Sequence, residues 1–237
     1  MKRSWIVISI ILTVLIIDQA SKIYVKTTIP YLGGVEIFGQ DWARIHFIEN
    51  EGMAFGLSFG GKTGKLILSL FRIVMVSFLG YLLYSLVKAK ESIGLLISFS
   101  LIIAGAMGNI IDSAIYGLIF SESSFHGSVA TMFPEEGGYA GFLHGRVVDM
   151  LYFPMVDTTY PDWFPARPDG KPGWLPNIIF DNIPWAKERF RFFKPVFNIA
   201  DAAISVGVAS ILLFNRSFFT EKKEEESVQS APTELVS

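Results

Sequence analysis

The chain has 237 residues, enough for one domain or two small ones; 51% are hydrophobic and 18% charged, and a mean hydropathy of +0.44 is high for a soluble domain. A net charge of −2 supplies no basic face for nucleic acid. Without cysteine there are no disulfides, thiol nucleophiles or thiolate metal sites, and three scattered histidines (His46, His126, His144) with no HExxH pattern argue against a metal cage.

Four segments are apolar enough to cross a bilayer, which takes about 20 residues. The first covers about residues 5–24 and is uncharged until Asp18. Lys2 and Arg3 precede it as in a signal peptide, but its length and the lack of a small-residue cleavage site favour a retained anchor. Residues 25–65 follow. Between Val35 and Phe55 apolar and polar residues alternate around Gly39 and Asp41, which predicts a short antiparallel hairpin turning near Gly39 to Asp41. Residues 50–56 then form a small-residue turn toward the second span.

That span covers about 66–87 and is interrupted by Arg72, expected either to snorkel toward the outer headgroups or to pair with an acid. Lys88 and Lys90 occupy the tight turn into the third span, about 93–112, which ends at Asp112. Residues 113–196 hold most of the prolines, with Trp163, Trp174, Trp185 and the phenylalanines of 190–193. An amphipathic helix over about 185–193, lying on the membrane, is expected there. The fourth span, about 197–214, contains Asp201, and the acid-rich tail 220–237 reads as disordered.

Basic residues before the first span, between the second and third, and after the fourth place both termini in the cytoplasm. Residues 25–65 and 113–196 then lie outside. The expected fold is an all-α polytopic membrane protein, one membrane domain of four transmembrane helices. It carries a small outer β-hairpin or sheet and an extended second outer segment.

Carboxylates in hydrocarbon are costly and so mark function. Asp18, Asp112, Asp149 and Asp201 all fall at the outer level, with Asp149 expected in the loop between the third and fourth spans, and none lies in the inner half of a span. An ion path would want polar groups at several depths. Asn109 and Asp112 are three apart, as are Asn198 and Asp201, so each pair shares a helix face. Gly105, Ala106 and Gly108 leave room for a close helix neighbour, and Asp18 and Lys22, four apart, are expected to pair. Two carboxylates held together cannot both ionise easily, which is the chemistry of an aspartyl protease. A structural ion-pair cluster and a cation-coupled transporter site remain open on the residues alone.

Five motifs carry a family resemblance: Asp18-Gln19-Ala20-Ser21-Lys22, residues 50–56 (Asn-Glu-Gly-Met-Ala-Phe-Gly), residues 105–112 (Gly-Ala-Met-Gly-Asn-Ile-Ile-Asp), residues 145–150 (Gly-Arg-Val-Val-Asp-Met) and residues 197–201 (Phe-Asn-Ile-Ala-Asp). In their order and their places the chain resembles the lipoprotein signal peptidases, the type II signal peptidases of bacterial inner membranes. The resemblance implies an aspartyl endopeptidase that cuts prolipoproteins just before a diacylglyceryl-modified cysteine. It implies a periplasmic-side site, no cofactor, membrane lipids as surroundings and a monomer. By motif the catalytic pair is Asp149 and Asp201. Asn50, Gly105, Asn109, Asp112, Arg146 and Asn198 would support the site or contact substrate, with Asp18 and Lys22 orienting it. The family commonly has Arg directly after the third-span Asp, where this chain has Ser113, so Arg146 or Arg72 is expected to supply that charge. Extra sequence flanks Asp149, at about 121–142 and 157–194, as a lid or a partner surface.

Overall fold

The computed structural model describes residues 2–51, 61–124, 128–154, 156–159, 161, 163, 189–192 and 195–215. The first helix, α1 (Lys2–Thr28), is an apolar run without Gly or Pro. It stops just before Ile29 and Pro30, whose ring disfavours helical backbone at the residue before it. The second, α2 (Gly61–Lys88), is nearly as long. The third, α3 (Ile93–Ile111), starts at Ser92, whose hydroxyl accepts the Leu95 N–H at 3.3 Å. Helical backbone continues beyond Asp112 through a π-helical turn, Asp112–Tyr116, and a last turn, Gly117–Ile119. Such π turns open the hydrogen-bond ladder and recur at functional sites.

These three helices are long and apolar enough to cross a membrane. Their most apolar windows are 17% buried in α1 and 11% in α2, against 56% in α3. Hence α3 is the centre, packed against all three others, while α1 and α2 turn side chains such as Leu12, Ile16, Phe71 and Phe78 outward. The fourth helix, α4 (Ile199–Phe214), begins two residues later than the sequence suggests, because Phe197 is in a strand and Asn198 is an extended N-cap. Its 16 residues rise about 24 Å, short of the roughly 30 Å hydrocarbon layer.

Strands β1 (Gly34–Ile37) and β2 (Gln40–Asn50) form the hairpin. Its two-residue loop has Phe38 at φ 54° and Gly39 at φ 67°, the two left-handed residues that a tight hairpin with native twist requires. Strands β3 (Val147–Tyr152) and β6 (Val196–Phe197) extend this into an antiparallel sheet of order β1-β2-β3-β6. A separate ribbon pairs β4 (Val156–Thr159) with β5 (Arg189–Phe192).

Three expectations change. Asp149, expected in a loop, lies within β3, where the β-branched run Val147-Val148 favours strand. The expected helix over 185–193 gives way, across 189–192, to a strand whose Arg-Phe-Arg-Phe alternation has a period of two. The third span does not end at Asp112 but carries it inside a continuing helix. Residues 52–56, Trp174, Trp185 and the tail 220–237 lie outside the described residues.

Candidate active site

Pleating assigns the residues of β2 and β3 to two faces. Ile48 pairs with Asp149, Glu49 with Val148 and Asn50 with Val147. Asn50 and Asp149 therefore share one face, and the Asn50 amide donates to Asp149 Oδ2 at 3.2 Å. Glu49 and Val148 point to the other.

Asp201 reaches the same place from α4 through that helix's capping box. Asn198 Oδ1 accepts the Asp201 N–H at 2.9 Å, and Asp201 Oδ2 accepts the Asn198 N–H at 3.3 Å. The Asn198 amide nitrogen lies 2.8 Å from Asp149 Oδ1, 3.1 Å from Asn109 Oδ1 and 3.2 Å from the Val148 carbonyl. Asn109 in turn donates to Asp201 Oδ1 at 2.8 Å. Two asparagines thus tie the two carboxylates into one network. Burial pushes the Asp149 carboxyl up to about 7; the nearby Asp201 charge adds to the rise, and the Asn50 and Asn198 hydrogen bonds oppose it.

A second tier holds the first. Lys22 Nζ sits 2.9 Å from Asp18 Oδ2, 2.8 Å from Asp112 Oδ2 and 2.9 Å from Asn109 Oδ1, with all three charged groups fully buried. Asp18 Oδ1 accepts the N–H of Ala200, the residue before Asp201, at 2.9 Å. Asp112 Oδ2 accepts the N–H of Val148, the residue before Asp149, at 3.2 Å. One lysine therefore steadies the two brackets that hold both members of the pair. Among the described residues no buried side-chain nitrogen or oxygen lacks a partner, so the network is fully connected, the condition under which buried polar groups rigidify a site.

The glycines of α3 allow this proximity. A methyl on Gly105 would overlap the Ala200 carbonyl oxygen, and one on Gly108 would come within 2.6 Å of Asp18 Oδ2. Ser113, in contrast, returns its hydroxyl to the Asn109 carbonyl at 3.1 Å.

Arg146 lies elsewhere. On the far face of the strand pair it meets Glu49 at 3.3 Å, Glu51 at 3.2 Å and Glu122 at 3.2 Å; burial would lower its pKa, but these carboxylates hold the guanidinium above its ordinary value. Lys26, fully buried, pairs with Glu49, donates to Ser123 at 2.8 Å and faces the rings of Phe120 and Tyr139. A pocket of about 530 Å³ opens beside this cluster, lined in part by Tyr31, Glu51, Glu122 and Arg146. It is on the opposite face from Asp149, so this polar opening is separate from the carboxylate pair.

Sequence reasoning missed Gln19, Lys26 and Glu49. Gln19 joins the second tier, donating to Asp112 Oδ1 at 2.9 Å and to the Gly108 carbonyl at 3.2 Å. Lys26 had a signal, since Asp18, Lys22 and Lys26 repeat every four residues along one helix face; Glu49 had only its alternation with Asn50. Among the described residues no three Asp, Glu or His side chains are grouped to hold a metal ion.

Apolar helices surrounding a central one, capped by a small sheet, with carboxylates buried where sheet meets helices, define a polytopic membrane protein with a polar site at one end. Two solved structures described as bacterial membrane enzymes share this fold, each at a TM-score of 0.50. One is 19% identical and covers 97% of this chain and 94% of its own; the other is 22% identical and covers 87% and 90%. The family model for signal peptidase (SPase) II matches residues 10–218. The lipoprotein signal peptidase of Porphyromonas gingivalis is 46% identical over 209 residues, covering 88% of this chain and 81% of the relative. That of Amoebophilus asiaticus is 30% identical over 239 residues, covering 99% and 88%. The chain belongs to the lipoprotein signal peptidase (signal peptidase II) family.

Proposed function

We propose that the chain is an aspartic endopeptidase that removes signal peptides from prolipoproteins just before the diacylglyceryl-modified cysteine, with Asp149 and Asp201 as the catalytic pair. The observation that carries the reading is Asn198. Its amide holds Asp149 Oδ1 at 2.8 Å while its carbonyl oxygen accepts the Asp201 N–H at 2.9 Å, so one side chain sets both carboxylates. The raised Asp149 suits the division of labour the chemistry needs. The protonated member polarises the scissile carbonyl, and the ionised member takes a proton from the attacking water. The tetrahedral intermediate then collapses as the leaving amine is protonated.

In this reading Asn50, Asn109 and Asn198 hold the pair. Gly105 permits the approach of α4, and Asp18, Lys22 and Asp112 fix the backbone beside each catalytic residue. Arg146 supports from behind the strand pair. The chain acts as a monomer in a bacterial inner membrane, with α4 as a fourth span, both termini cytoplasmic and the site near the periplasmic face. The gathering of the carboxylates at one level favours surface-proximal peptidase chemistry over cation transport.

The test is processing of a diacylglyceryl-modified prolipoprotein by the purified protein in detergent, followed by the size shift. Asp149→Asn and Asp201→Asn are each expected to lose processing by about 10³-fold or more. Wild-type rates in both variants would sink the assignment.

A further inference from the structure

Arg72 interrupts the outer part of α2, within an apolar run where a charge is costly unless it acts on something. Its position along the helix is informative. Ser69, Arg72, Val76, Leu79, Leu83 and Leu86 are spaced three and four apart and therefore lie on one face. Ser69, Leu83 and Leu86 are buried, and Val76 and Leu79 pack on the cluster that contains Leu95, Leu96, Phe99 and Ile103 of α3. Arg72 thus belongs to the stripe that meets α3, not to the outward face of Phe71, Val74 and Phe78.

The height follows as well. Ser69 donates to the Leu143 carbonyl at 3.1 Å, and the Leu143 N–H points to the Ala114 carbonyl at 3.5 Å. Ser69 is therefore level with the π turn after Asp112. Arg72 lies three residues along α2, about 4.5 Å further. That brings it beside the part of α3 that carries Asn109 and Asp112.

We propose that Arg72 is a positioning cation for the carboxylate pair: its charge keeps one of Asp149 and Asp201 ionised at the pH where the enzyme works. The proposal rests on the aspartic reading above. The groups facing the pair are Asp18 and Lys22 from α1, Arg72 from α2, Asp112 and Asn109 from α3, Asn50 from β2 and Asn198 from the start of α4. Lys22 is shared between two carboxylates, so it leaves that tier one negative charge over. Lys26 and Arg146 are committed to the glutamates on the far side of the sheet. Arg72 stands on the side of the pair, where the charges of Asp201, Asp112 and Asp149 act on it.

Removing a cation disfavours the ionised carboxylate, so the acid limb of the rate profile moves to higher pH. The experiment is kcat/KM against pH on a diacylglyceryl-modified prolipoprotein for wild type, Arg72→Lys, Arg72→Gln and Arg72→Met. R72K is expected to keep the limb in place. R72Q and R72M are expected to raise it by about one pH unit, which is about a tenfold loss of rate on the acid side with the plateau much less changed. R72M risks the fold. R72Q is therefore also read by infrared titration of the carboxyl band that Asp149→Asn removes, which needs no turnover, and the same upward shift is expected. An unmoved limb and band in R72Q, or a loss equal at every pH, overturns the role of Arg72. If that happens while D149N and D201N are inactive, the aspartic assignment stands; if D149N and D201N process normally, both fall together.

Discussion

Asn198 gives the sharpest test of how the pair is built. Asn198→Ala removes a helix cap, which costs about 1 kcal/mol. It also removes a hydrogen bond to a buried carboxylate, a further 1.5–3 kcal/mol or so. The two N–H groups of the amide share three acceptors within 3.2 Å, so the contributions overlap, and a net loss of about 3 kcal/mol is expected in unfolding in detergent. Processing should fall about 10²-fold, because Asp149 loses the contact that orients it. Asn198→Ser separates the two effects. A hydroxyl still caps α4 but is too short to hold Asp149, so about 1 kcal/mol of stability should return while processing stays near the N198A level. If processing in N198S recovers in step with stability, Asn198 is only a cap and the argument is refuted.

Two further outcomes are expected. Asp149 is raised in the folded protein from an ordinary 3.8 to about 7, so its protonated form favours folding. That contribution is complete below about pH 4 and is lost as pH rises toward 7, a fall of up to about 4 kcal/mol. Unfolding of wild type and D149N compared from pH 4 to 8 should show the steeper fall in wild type; parallel profiles would contradict the burial argument. Lys22→Met leaves Asp18 and Asp112 buried without their cation and should cost about 3–5 kcal/mol, with processing lost because both backbone brackets loosen. Adding Asp112→Asn should recover part of that stability, and a double variant no more stable than K22M would show that the charge pairing is not the cause.

The membrane character and the four acids were legible in the sequence because both are local. Twenty apolar residues need no partner to be recognised, and a carboxylate beside such a run is costly wherever the chain goes. The asparagine–aspartate spacings likewise predict shared helix faces, and Asn198 with Asp201 is such a pair in the capping box. The division of labour among the acids was not local. Asp18 and Asp112 became brackets because their oxygens meet the N–H groups of Ala200 and Val148, contacts between residues 182 and 36 positions apart. Asp149 was misread as a loop residue because its strand is defined by pairing with β2, which hydropathy does not record. The same pleat turned Arg146 away from the pair and Asn50 toward it, although both sit in motifs that suggest the site. What the sequence by itself determined was that Asp18, Asp112, Asp149 and Asp201 gather near one end of the helices. Which carboxylate faces which partner was decided by strand register and by the close approach at Gly105 and Gly108, where long-range geometry, not residue type, sets the contacts.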